Sequence, residues 1–174
     1  IPGVGTLDVT VTGGIIPYAW AHEVMLMTFA IGVVLALVFF TLIFSRLMHH
    51  DPMPQRLTPS LIIMIAPFGV GFLAYVNVGG VDLFASILFY FGLFLFSILL
   101  YKVFMKKAPF MLSWWAVGFP VAALSNAGLK YALHVGSGPL VVIAGVLLAV
   151  LTVLIMLIFL QTLLLLIQRK LLVP

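Results

Sequence analysis

From Pro139 to Ile167 the chain reads PLVVIAGVLLAVLTVLIMLIFLQTLLLLI, without one charged residue. A helix crossing about 30 Å of hydrocarbon needs roughly 20 mostly apolar residues at about 1.5 Å each. This run exceeds that length. Four further segments meet the same standard, near Glu23–Leu47, Thr58–Val76, Val81–Tyr101 and Phe110–Tyr131. The breaks between them, such as His49-His50-Asp51-Pro52-Met53-Pro54 and Asn77-Val78-Gly79-Gly80, hold Pro or Gly, so turn chemistry and hydropathy agree on the boundaries.

Composition supports the same reading. Of 174 residues 65% are hydrophobic and 7% charged, and the mean hydropathy is +1.36. A soluble domain runs about 45–50% apolar and about 25% charged. Too few polar side chains remain to cover a water-soluble surface. The chain is therefore expected to be an all-α integral membrane protein. Disorder, a disulfide scaffold (there is no Cys) and a soluble nucleic-acid binder are excluded on the same grounds.

The opening stretch 1–17 is more polar, with Thr6, Asp8, Thr10 and Thr12 among four glycines. Its alternation at Leu7, Val9 and Val11 would also suit a strand. A sixth, truncated helix facing protein or water is the expectation, because the chain opens Ile1-Pro2-Gly3-Val4 with neither Met nor a charged leader. It reads as part of a longer protein, cut near the start of a span. Of the cations, Arg46, Arg56, Lys102, Lys106, Lys107, Arg169 and Lys170 fall on one side, and Lys130 alone on the other. By the positive-inside bias the C-terminus is expected in the cytoplasm.

Sorting Pro and Gly by span gives an alternation. Pro2, Pro67 and Pro120 lie inside the first, third and fifth spans, as do most glycines, while the even spans hold no interior Pro and one Gly each: Gly32, Gly92 and Gly145. An interior Pro removes a backbone hydrogen bond and kinks its helix, and in lipid the freed carbonyl needs protein or water. The inference is a bundle of helical hairpins, with inner kinked helices around a pore and straighter helices outside. Close packing by small residues is the competing explanation.

The order of motifs resembles a known family. Arg56-Leu57-Thr58-Pro59-Ser60 leads into Ala66-Pro67-Phe68-Gly69-Val70-Gly71-Phe72, and Asp82-Leu83-Phe84-Ala85 into Phe89-Tyr90-Phe91-Gly92. Then come Ser113-Trp114-Trp115-Ala116-Val117-Gly118-Phe119-Pro120 and Ser125-Asn126-Ala127. This set is similar to the tellurite-resistance/dicarboxylate transporter family, which includes the plant slow anion channels. The resemblance implies ten helices in five hairpins, of which this chain supplies the fifth to the tenth. It also implies odd helices lining a pore, a homotrimer, and passage of chloride, nitrate, malate or sulfite-like anions across a bacterial inner membrane. By the same resemblance, Phe119 is the gate of the pore.

The residues themselves allow that role. A phenyl ring in a narrow bore excludes water and raises the cost of passing an ion. Pro67, Pro120 and Gly118 are the accompanying kink and lining candidates. Asp8 is an ionisable group inside a span, which marks a functional candidate by default, either as a proton site or as a solvated residue near the mouth. Lys130 is a candidate for attracting anions, or for snorkelling to the interface.

Other motifs carry less. His22-Glu23 lacks the second His of a zinc-protease helix, since Leu26 stands there. His49-His50 belong to a basic loop. Gly69-Val70-Gly71 has no strand before it to make a dinucleotide loop. No metal, cofactor or catalytic set is expected. Two mechanisms stay open: a channel passing anions down their gradient, and a proton-coupled dicarboxylate, sulfite or tellurite-resistance carrier with alternating access.

Overall fold

The computed structural model describes residues 2–14, 16–51, 53–105 and 109–168, with the side chains of residues 2, 19, 56 and 104 left out. Of the cations that set the expected orientation, Lys106, Lys107, Arg169, Lys170 and the Arg56 side chain lie outside the described residues. All regular structure among the described residues is helical: α1 Pro2–Gly13, α2 Ala19–His49, α3 Ala66–Gly79, α4 Leu83–Met105, α5 Gly118–Val135 and α6 Gly138–Ile167. The strand considered for the opening stretch does not form. Two 3₁₀ segments, Gln55–Ile65 and Leu112–Val117, run directly into α3 and α5.

Among the described residues, four helices are long and apolar enough to cross a membrane: Trp20–His49, Leu57–Gly79, Leu83–Val103 and Gly138–Ile167. Local chemistry sets their ends. Gly136, at φ 67°, closes α5 in the left-handed region that favours glycine, and its N–H reaches the Ala132 carbonyl. Ser137 then opens α6, its side chain accepting from the Leu140 N–H, with Pro139 in the first turn.

Contacts between helices give their directions. Gly3 meets Ala36 and Gly32 meets Leu7, so α1 and α2 are antiparallel. Gly118 approaches Ile155 and Gly128 approaches Leu147, so α5 and α6 are antiparallel too. Gly69 of α3 lies against Ala123 and Leu124, while further along Asn77 meets Lys130, so α3 and α5 run parallel. The result is an inner set of α1, α3 and α5 pointing one way and an outer set of α2, α4 and α6 pointing the other. Burial follows: 61% of the Leu57–Gly79 window is buried, against 11%, 33% and 22% for the windows in α2, α4 and α6. The main core joins the first 3₁₀ segment, α3, α4, α5 and α6 around Phe72, Phe89, Val117, Val121 and Leu124.

The expected breaks at Pro67 and Pro120 take a specific form. Pro67 is the second residue of α3 and Pro120 the third of α5, where the first four N–H groups of a helix have no intrahelical partner anyway. The helix before each is wound as 3₁₀. The Ile63 carbonyl, four residues before Pro67 and beyond the reach of a residue lacking N–H, accepts instead from Ala66. The Gly118 N–H likewise bonds to the Trp115 carbonyl. An 11-residue 3₁₀ run is unusually long. It packs against the second 3₁₀ segment, which is itself tied down by Trp115 Nε1 donating to Thr162 Oγ1 of α6 at 3.0 Å and by Trp114 Nε1 donating to the Pro109 carbonyl at 3.1 Å.

Candidate functional site

Two cavities lie between the three inner helices. The first, of about 290 Å³, is lined by Val4, Gly5 and Asp8 of α1, by Ile63 and Ala66 at the junction into α3, and by Ala116, Phe119 and Pro120. The second, of about 240 Å³, is lined by Asp8 and Val11, by Val70 and Leu73 of α3, and by Phe119, Ala122, Ala123 and Asn126. Because the helices are parallel, residue order gives axial order. The first cavity lies toward the helix starts and the second toward their ends, and only Asp8 and Phe119 line both. These two residues stand where the cavities meet.

The start of α5 explains the placement of the ring. Val117 and Val121 are fully buried and Gly118 and Pro120 are buried, yet Phe119 between them is 51% exposed. Val117 and Val121 belong to the core and Gly118 faces α6, where a Cβ would come 3.0 Å from Ile155 Cδ1. Gly118 therefore serves close packing with α6, while the ring beside it points into the cavities. Pro67 is half-buried and faces two other clefts, lined with Phe40 and Ala36 of α2. Asp8 is half-buried, and its carboxylate has no hydrogen-bond or ion-pair partner among the described residues.

Further along, a polar tie crosses the inner helices. Lys130 Nζ donates to Asn77 Oδ1 at 2.7 Å, and Asn77 Nδ2 donates to the carbonyls of Val11 at 2.7 Å and Thr10 at 3.3 Å. Lys130 is thus held between α3 and α5 near the end of α1. On α5, Phe119, Ala122, Asn126 and Lys130 fall at the three- and four-residue steps of one helix face. Sequence reading named Phe119, Asp8 and Lys130 but gave no role to Asn77, which stood at a predicted break, or to Asn126. The signals for Asn126 were its place in the motif Ser125-Asn126-Ala127 and its being an amide inside an inner span.

A larger cleft of about 380 Å³ between α1, α2 and the first 3₁₀ segment is mostly apolar, with Arg46 and Ser60 in its lining. It lacks the convergence of three parallel helices. No group of three or more His, Asp or Glu able to hold a metal occurs among the described residues.

The model of a protein family described as voltage-dependent anion channel matches residues 1–163. The S-type anion channel SLAH1 of Arabidopsis thaliana is 31% identical over 135 residues, which cover 72% of this chain and 34% of the relative. S-type anion channel SLAH3 of the same plant is 29% identical over 124 residues, 70% of this chain and 20% of the relative. The uncharacterized transporter MJ0576 of Methanocaldococcus jannaschii is 29% identical over 153 residues, 75% and 44% of the two chains. The chain thus spans between a fifth and under half the length of these relatives. No solved structure matches it.

Proposed function

The chain belongs to the voltage-dependent anion channel family, and from that premise we propose that it forms part of a transmembrane anion pore constricted by Phe119. The observation that carries the reading is the shared lining of the two cavities by Phe119 and Asp8, between three parallel helices. An exposed phenyl ring at the meeting point of two cavities narrows the path with a surface that cannot replace hydration water. An anion stripped there has no compensating donor, so the ring sets the barrier. Small anions such as chloride, nitrate, malate or sulfite are the proposed cargo. The helices α1, α3 and α5 supply part of the wall, and the protein assembles as a trimer with its C-terminus in the cytoplasm.

A second reading rests on Asp8. An ionised carboxylate beside the constriction repels anions, and its lack of a cationic partner among the described residues leaves that repulsion uncompensated. Protonation of Asp8 would remove it, which suits a carrier that moves a proton with a dicarboxylate or sulfite-like anion, including the tellurite-resistance type. The two readings part in one experiment. The protein at its full length is reconstituted in planar bilayers, and currents of the parent and Phe119→Ala are recorded in chloride, nitrate and malate. Anion-selective current that grows in the variant supports the constricted channel. Absence of current in both, with saturable pH-linked malate uptake into liposomes, supports the carrier.

A further inference from the structure

We propose that Asn126 is the residue that contacts the permeating anion beyond Phe119 and sets its selectivity, an inference that rests on the pore reading above. The second cavity is walled by apolar groups from Val11, Val70, Leu73 and the alanines, with two polar side chains, those of Asp8 and Asn126. Asp8, when ionised, offers only acceptors, whereas a carboxamide offers two N–H donors. Asn126 is therefore the one side chain in this cavity able to donate to an anion at any pH.

Its side chain is exposed to the cavity, and its amide has no hydrogen-bond partner among the described residues, so its donors are open to a ligand. The neighbouring Ser125 is also unpartnered, but it is buried away from the cavity. Among the residues lining the second cavity, Asn126 alone offers unengaged donors.

Its position suits a step after the constriction. Seven residues separate it from Phe119, about 10 Å along the helix, and four more separate it from Lys130, about 6 Å. An anion leaving the ring would meet first a neutral pair of N–H donors, then an ammonium steadied by Asn77. A neutral donor replaces part of the hydration shell without the deep well of a fixed charge, so binding stays weak enough for exit. It also discriminates. Chloride holds its hydration more tightly than nitrate, so chloride gains more from a donor.

The test uses the protein at full length in a Phe119→Ala background, where current is measurable, with reversal potentials in mixed chloride and nitrate. Asn126→Leu is expected to raise the nitrate-to-chloride permeability ratio about three- to tenfold, the scale of one hydrogen bond. Asn126→Gln, which keeps the donors, returns the ratio toward the parent value. Asn126→Asp, setting a second carboxylate beside Asp8, lowers current for every anion. Asn126→Ser gives an intermediate ratio and provides a readout if the leucine variant does not assemble. A ratio unchanged in both the leucine and serine variants, with anion current intact, overturns the role of Asn126 and leaves the pore reading standing. A Phe119→Ala protein without anion current overturns both.

Discussion

Lys130 of α5 donates to Asn77 of α3 at 2.7 Å, and through that amide it is joined to the last turn of α1. The carbonyls of Thr10 and Val11 belong to the final four of a helix ending at Gly13, and such carbonyls have no partner within the helix. Asn77 supplies the missing donors, and the ammonium lies near the negative end of the helix dipole. Removing Asn77 strands a half-buried cation and two carbonyls, whereas removing Lys130 strands one amide oxygen. Asn77→Leu is expected to cost about 1–3 kcal/mol and Lys130→Met about 1 kcal/mol or less. Thermal unfolding in detergent measures both. A Lys130→Met protein less stable than Asn77→Leu would contradict the tie.

At Gly69, α3 comes close against the backbone of α5. A Cβ there would come 2.9 Å from the Leu124 nitrogen and 3.0 Å from the Ala123 carbonyl carbon, both backbone atoms that cannot swing aside. Two residues on, a Cβ at Gly71 would find only Leu88 Cδ1, at 3.9 Å. Gly69→Ala is expected to destabilise by about 1–3 kcal/mol through overpacking. Gly71→Ala is expected to be neutral, or to stabilise by up to about 1 kcal/mol from helix propensity. Equal effects of the two substitutions would refute the close approach.

The alternation of inner and outer helices was legible in the sequence because Pro and Gly exclude themselves from straight, lipid-facing helices. The 3₁₀ winding before Pro67 and Pro120 was not. Propensity alone does not choose between three- and four-residue hydrogen bonding, and the packing of the two 3₁₀ segments on each other is a property of the assembled fold. Phe119 stood out through the motif around it. Asn77 did not, because its partners lie 66 and 53 positions away and a Gly-Gly pair beside it reads as a turn. The exposure of Asn126 into a cavity required knowing which face of α5 meets α6.

Just before α4, Asp82 accepts from the Tyr75 hydroxyl at 2.6 Å through Oδ2 and from the Ala85 N–H at 3.0 Å through Oδ1. The Tyr75 bond first, and the backbone bond second, hold its carboxyl below the ordinary aspartate value of 3.8. A lowered folded pKa favours the fold where the group is ionised. That contribution is complete above 3.8 and is lost as pH falls through the lower folded value. Asp82→Ala is therefore expected to be less stable than the parent at neutral pH, with the gap narrowing only in strong acid. Tyr75→Phe removes the larger cause, so the acid loss becomes smaller and is complete at a higher pH. Melting temperature followed against pH would show it, and an acid loss in Tyr75→Phe as large as in the parent would rule out the bond.

Asp8 decides between the channel and the carrier, and its neutral analogue separates them. In a channel the carboxylate acts only as a like charge beside the permeating anion. Asp8→Asn in the Phe119→Ala background then raises anion conductance about threefold or more, an effect largest at low salt because screening hides it at high salt. In a carrier the proton taken up by Asp8 is part of the cycle, so Asp8→Asn leaves anion exchange possible but makes its rate indifferent to pH. Conductance measured at two ionic strengths, beside malate uptake measured across pH, distinguishes these outcomes. If the variant matched its parent in both, the placement of Asp8 at the meeting of the cavities would have no bearing on transport, and the constriction would belong to Phe119 alone.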